Sequence, residues 1–168
     1  FARFTFPGKN LLFLATLASG VGSPYFVVRF KGLGIPVSKH AIGHGESYDG
    51  RAWDDMAVTI RRFHFELIAR LMKKLEAVPE GDGTMLDNTL VLLCSEVSDG
   101  NTHSHDDMPF VLAGSSSSAG GVLRTGRLLD FGGRRHSDLL GTIARAMGDQ
   151  SITTYGQGGQ GLLPGVLA

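Results

Sequence analysis

The stretch Thr89-Leu-Val-Leu-Leu-Cys-Ser95 decides how the chain is read, because it is apolar throughout its middle and shows no alternation. A strand with one face in water alternates polar and apolar residues. A strand buried on both faces does not, and such strands are found inside parallel sheets. Leu11 to Leu17 and Pro109-Phe-Val-Leu-Ala113 have the same character, short enough for buried strands. Tyr25 to Phe30, β-branched and aromatic after the turn Ser19-Gly-Val-Gly-Ser-Pro24, is a further strand candidate.

The helices lie around these runs. Trp53, Met56, Ile60, Phe63, Leu67, Leu71 and Leu75 recur every three or four residues, with Arg61, Arg62, Glu66, Arg70, Lys73 and Lys74 mostly between them. Pro79 and Gly81 end that helix. A second helix runs through Leu139, Leu140, Ile143, Ala144 and Met147, with Ser137 as N-cap and Gly148 just past its end. Val122 to Phe131 reads as a short hairpin around Thr125-Gly126. Lys31 to Gly50 carries five glycines and Pro36 without any period, so it reads as a long loop, as does the polar stretch Ser95 to Asp107. Gly114 to Gly121 reads as a flexible loop. Helix, strand, loop, strand, helix predicts an α/β fold: a mostly parallel sheet flanked by helices.

Composition narrows the function classes. The 168 residues hold 16 basic and 16 acidic side chains, and a formal net charge of zero argues against a nucleic-acid binder. The lone Cys94 excludes a disulfide framework and a cysteine-based zinc site. Glycine, at 24 residues, is about twice its usual share but follows no repeat. No stretch approaches the apolar length of a membrane span. Arg3 and Lys9 before Leu11 to Ala18, with the small residues Ala18-Ser19-Gly20, have the outline of a short signal peptide. The apolar character that resumes at Val21 favours a buried strand instead. The chain opens on Phe1, which reads as a processed product or a fragment.

Four of the six histidines fall in the two long polar loops. His40 and His44 stand in Lys39-His-Ala-Ile-Gly-His-Gly-Glu46; His103 and His105 stand in Ser95-Glu-Val-Ser-Asp-Gly-Asn-Thr-His-Ser-His-Asp-Asp107. The second loop also holds Glu96, Asp99, Asn101, Asp106 and Asp107. Neutral imidazoles with carboxylates suit zinc, manganese or iron, and nearby aspartates can fix histidine tautomers. Glu96 follows an apolar strand, the edge at which open α/β sheets bind ligands. His64 reads as a packed helical histidine and Cys94 as core. His136, beside Arg134 and Arg135, offers anion binding at a helix start but reads better as part of the helix cap.

Gly83-Thr-Met-Leu-Asp-Asn-Thr-Leu-Val91, Ser95 to Pro109, Leu112-Ala-Gly114 and the ending Leu162-Leu-Pro-Gly-Val-Leu167 resemble a bacterial family of exported proteins, the domain-of-unknown-function family numbered fifteen-fifty-two. That family is similar to the alkaline phosphatase and sulfatase superfamily. The resemblance covers residues 32–168 and leaves 1–31 as poorly matched N-terminal strands. It implies the C-terminal portion of an alkaline-phosphatase-like domain whose N-terminal half is missing, and a periplasmic or exported setting. It further implies one metal site from His40, His44 and His103, with Glu96 as ligand or general base and His105 and Asn101 as helpers. Zinc or manganese, and a small anionic phosphate or sulfate ester as substrate of the full-length protein, follow from the same likeness, with this fragment alone inactive. Val97 stands where the superfamily places another ligand, and the nucleophile belongs to the missing half. Those departures support the alternative of a non-catalytic, degenerate phosphatase-like fold used for binding or envelope assembly.

Overall fold

The computed structural model describes the backbone of residues 2–6, 9–15, 29–95 and 97–168, and side chains from residue 32 onward. The strand expected over Tyr25–Phe30 is described only at its last two residues. The turn at 19–24, the cleavage-site residues 18–20 and Glu96 lie outside the described residues. The chain divides into two compact units, one of residues 1–14, 74–93 and 111–168, the other of residues 15–73 and 94–110.

The first unit carries a four-stranded sheet. Its strands are β1 (Ala2–Phe6), β2 (Lys9–Ala15), β7 (Thr89–Cys94) and β8 (Phe110–Gly114), in the order β1-β2-β7-β8. β1 and β2 form an antiparallel hairpin in which Ala2 pairs Phe13 and Phe6 pairs Lys9. β8 also returns against β7 in the antiparallel sense: the N–H of Ser115 donates to the carbonyl of Leu86 at 3.0 Å, and Gly114 lies against the carbonyl of Thr89. A side chain at Gly114 would bring its Cβ to 2.2 Å from that carbonyl oxygen, and φ there is +77°, so only glycine fits.

The expected mostly parallel, alkaline-phosphatase-like sheet is therefore corrected. Three helices and small sheets are present, the described registers are antiparallel, and no parallel ladder is seen among the described residues. The physical reason lies in the connection. Parallel neighbours need a crossover, usually helical, whereas antiparallel neighbours can be joined by any loop. The segment between β7 and β8 contains turns and no helix, so β8 simply comes back. Burial of Thr89 to Leu93 is as expected, with none of them more than 8% exposed. Burial on both faces is thus no proof of parallel pairing.

The rest of this unit is the helix α3 (His136–Ala146), whose buried face presents Leu139, Ile143 and Ala146, with Met147 and, from the tail, Leu163 and Val166 also buried. The helix begins at His136 rather than after a Ser137 cap, and Gly148 follows its end at φ +112°. Val122–Phe131 forms no hairpin; Leu123 instead makes single bridges to Ser116 and Leu167. Two short strands, β5 (Pro79–Glu80) and β6 (Gly83–Thr84), turn the chain after the long helix.

The second unit is organised by that helix, α2 (Trp53–Glu76), which starts in this unit and matches the sequence period. Its first two turns bury Met56 and Ile60 against Ile35 and Ile42, with Leu33, Val37 and Ala57 packed around them. Ile35 belongs to β4 (Ile35–Ser38), which pairs antiparallel with β3 (Arg29–Phe30), and Ile42 to the short helix α1 (Lys39–Gly43). The stretch read as a featureless loop over 31–50 therefore holds a 3-10 turn, a strand and a helix. Their shortness hides them: five helical residues display no period. Among the described residues, no helix is long and apolar enough to cross a membrane.

Candidate functional site

Three of the histidines singled out from sequence meet in the second unit. Ser38 starts α1 by accepting the N–H of Ala41 at 3.1 Å, an N-cap that also ends β4. The helix then anchors itself through Ile42, which is 2% exposed. His40 and His44 flank Ile42 at a spacing of four, so they share the opposite face of the turn. His44 closes the helix, its N–H donating to the carbonyls of His40 and Ala41 at 3.1 Å each.

His103 arrives from a tight turn. The N–H of Ser98 donates to the carbonyl of Ser104 at 2.9 Å, and Asp99 bridges antiparallel to Ser104. Inside that turn the Asp99 carboxylate accepts the N–H of Asn101 at 2.9 Å and the hydroxyl of Thr102 at 2.8 Å. These hydrogen bonds, with a smaller contribution from the charge of His103, hold the Asp99 carboxyl below its ordinary range. Asp99-Gly100 is a turn dipeptide in sequence, and its side chain here does what aspartate does in such turns. His103 itself adopts φ +57°, the left-handed region that a side chain with a Cβ enters at some expense.

The turn is docked on α1 by close backbone contact. A Cβ on Gly100 would lie 2.7 Å from the carbonyl oxygen of Gly43, 3.0 Å from its carbonyl carbon and 3.1 Å from its Cα. Only a glycine lets the two backbones approach so closely. The outcome is a row of imidazoles: His40 and His44 have ring centroids 4.5 Å apart at 75°, and His44 and His103 are 5.4 Å apart at 66°. Three imidazoles bound tetrahedrally to one ion at Zn–N distances of about 2.0 Å would hold neighbouring ring centres about 5 Å apart. The observed spacings bracket that value. The ring faces are edge-to-face, and among the described residues no three His, Cys, Asp or Glu side chains are already posed around a common ion position.

The remaining candidates fall elsewhere. Asn101 and His105 are exposed; Asn101 takes part through its backbone N–H, and His105 lies beyond the Ser104 end of the turn. His64 is half-buried on α2 and its pKa is lowered, first by burial and then by the charge of Lys39. Burial pushes the Cys94 thiol up, which makes it a poor nucleophile. In the first unit the start of α3 is filled by the chain's own tail. Arg134 is engaged by Asp138 at 2.7 Å and by the carbonyl of Gly161 at 2.7 Å, and Gly158 lies against the Arg135 guanidinium. Gly100 is the functional position that sequence alone does not single out, although its Asp-Gly dipeptide marks a turn.

The chain matches no protein-family model, no curated protein and no solved structure.

Proposed function

We propose that His40, His44 and His103 are the ligands of one divalent metal ion, zinc or manganese, and that the site serves metal-assisted hydrolysis of a phosphate or sulfate ester. The observation that carries the metal reading is the pair of ring spacings, 4.5 and 5.4 Å, across three imidazoles from two separate segments. Three nitrogen ligands leave a fourth position for water, whose pKa such an ion brings near neutrality. His103 is exposed, so an ion held by it would be within reach of a small anion.

The test is metal titration of protein that carries no polyhistidine tag. One zinc or manganese ion per chain is expected, with affinity falling at least about 100-fold in His103→Ala. Absence of stoichiometric metal, or unchanged affinity in His103→Ala, overturns the site. If the metal binds and nitrophenyl phosphate and sulfate are both left intact, the ester-hydrolysis part falls and a binding role replaces it.

A further inference from the structure

His44 is fixed as the C-cap of α1, and His103 sits on a turn that touches α1 at one glycine. Two features set the separation of those rings: the contact of Gly100 with Gly43, which fixes where the turn lies, and the Asp99 carboxylate, which fixes its shape through Asn101 and Thr102.

We infer that Gly100 and Asp99 are positioning residues that place His103 beside His44, and that this placement is what gives the cluster its affinity for a divalent cation. The inference rests on the metal reading above. Neither residue needs to touch the ion. Gly100 acts by having no side chain: the atoms a Cβ would meet all belong to the Gly43 backbone, which cannot swing aside as a flexible side chain would. Asp99 acts by holding a backbone that His103, at φ +57°, would leave if released.

Asp99→Asn separates position from charge. An asparagine can still accept the Asn101 N–H through its oxygen and donate its amide to the Thr102 hydroxyl, which then accepts instead of donating. The carboxylate charge is lost while both turn contacts are retained. Asp99→Ala loses both contacts.

The experiment measures zinc affinity and the visible spectrum of the cobalt(II)-loaded protein for the wild type, Gly100→Ala, Asp99→Ala and Asp99→Asn. The proton contact between the His44 and His103 rings is followed by NMR in the metal-free protein. Gly100→Ala and Asp99→Ala are expected to bind zinc about 10-fold or more weakly, to lose the inter-ring contact and to change the cobalt spectrum. Asp99→Asn is expected to stay near the wild type on all three measures, and being isosteric at an exposed site it tests the idea even if Gly100→Ala fails to fold. Wild-type affinity in Gly100→Ala and Asp99→Ala overturns the positioning role alone. So does weaker binding with the inter-ring contact intact, or an Asp99→Asn affinity as low as that of Asp99→Ala. A wild type that binds no zinc overturns the metal reading itself.

Discussion

Among the described residues, one polar cluster in each unit shows how differently polar groups can be held. In the first unit Asp138 is 1% exposed and both of its carboxylate oxygens are engaged, one by Arg134 at 2.7 Å and the other by the N–H of Gln160 at 2.8 Å. Its carbonyl accepts the hydroxyl of Thr142 at 2.7 Å, and that hydroxyl in turn accepts the N–H of Leu163 at 2.8 Å. Thr142 is 0% exposed. The network is closed, and its members tie the glycine-rich tail to α3. In the second unit Ser98, Asp99, Asn101, Thr102 and Ser104 of the turn bond to one another, and His103 is left exposed on it. Buried polar groups that find all their partners hold a fold together. Of the three rings, His103 alone stands on the exposed turn, at φ +57°, beside the half-buried His44 of the α1 end.

The contrast is tested most severely at Asp138. Asp138→Ala leaves the Arg134 head and the Gln160 N–H without the carboxylate that engages them, and a fall in Tm of about 10 °C is expected. Calorimetry or circular dichroism measures it. The pH dependence follows from the same residue. Burial alone would raise the Asp138 pKa, but the hydrogen bonds from Arg134 and Gln160, and the charge of Arg134, bring it below its ordinary value. A carboxyl whose folded pKa is depressed contributes stability above its unfolded pKa of about 4 and loses it as pH falls through the folded value. Tm should therefore drop below about pH 4 in the wild type, and this part of the drop should vanish in Asp138→Asn. An Asp138→Ala protein as stable as the wild type would show that the closed network is ornamental.

Next in size is Thr142→Val, which matches the shape of the side chain and removes only the hydroxyl. The Leu163 N–H is then buried without an acceptor, at a cost of about 1–3 kcal/mol. A lower urea midpoint with an unchanged slope would record this loss as stability rather than a change in the unfolded state.

These two clusters are unequally legible in the sequence. α2 can be read to within a residue or two because its period persists over 24 residues, and β7 because five consecutive buried side chains fit little besides an interior strand. Strand direction is not legible: Thr89 to Cys94 carries no mark of whether its neighbour returns or crosses over, and the fold expectation fails there. α1 is hidden by its length. The histidines are legible as types in loops, and the structure brings three of them together, but Gly100 is one glycine among 24 and only its contact with Gly43 distinguishes it. Arg134 and Thr142 stand four residues either side of Asp138, but its tie to the tail is invisible in sequence because Gln160 lies 22 residues downstream and bonds through its backbone N–H, which every sequence possesses.

A smaller effect of opposite sign is expected at His103. Its φ of +57° suits glycine, and relief of the left-handed conformation in His103→Gly is worth about 1 kcal/mol. The variant should therefore melt slightly higher than the wild type in the absence of metal, and bind none. A residue retained where glycine would be more stable is one that the site needs for its side chain. If His103→Gly melts lower instead, the ring is holding the turn together, and the two clusters differ less than their exposure suggests.

The smallest effect concerns His64, a histidine of the second unit that belongs to neither cluster. Burial first, and the charge of Lys39 second, lower its pKa below the ordinary value near 6.5. The folded state thus binds its proton less readily than the unfolded chain. Nothing is lost well above pH 6.5, and stability declines as pH falls below it, because the unfolded state gains the proton first. The group is only half-buried, so solvent screens much of the effect. A difference in Tm between pH 7 and pH 5 of about 1–2 °C, removed by His64→Gln, is the expected size. The comparison must be made between wild type and variant at each pH, since His40, His44 and His103 are present in both and cancel. A slope that survives unchanged in His64→Gln would show that His64 contributes nothing to the pH dependence.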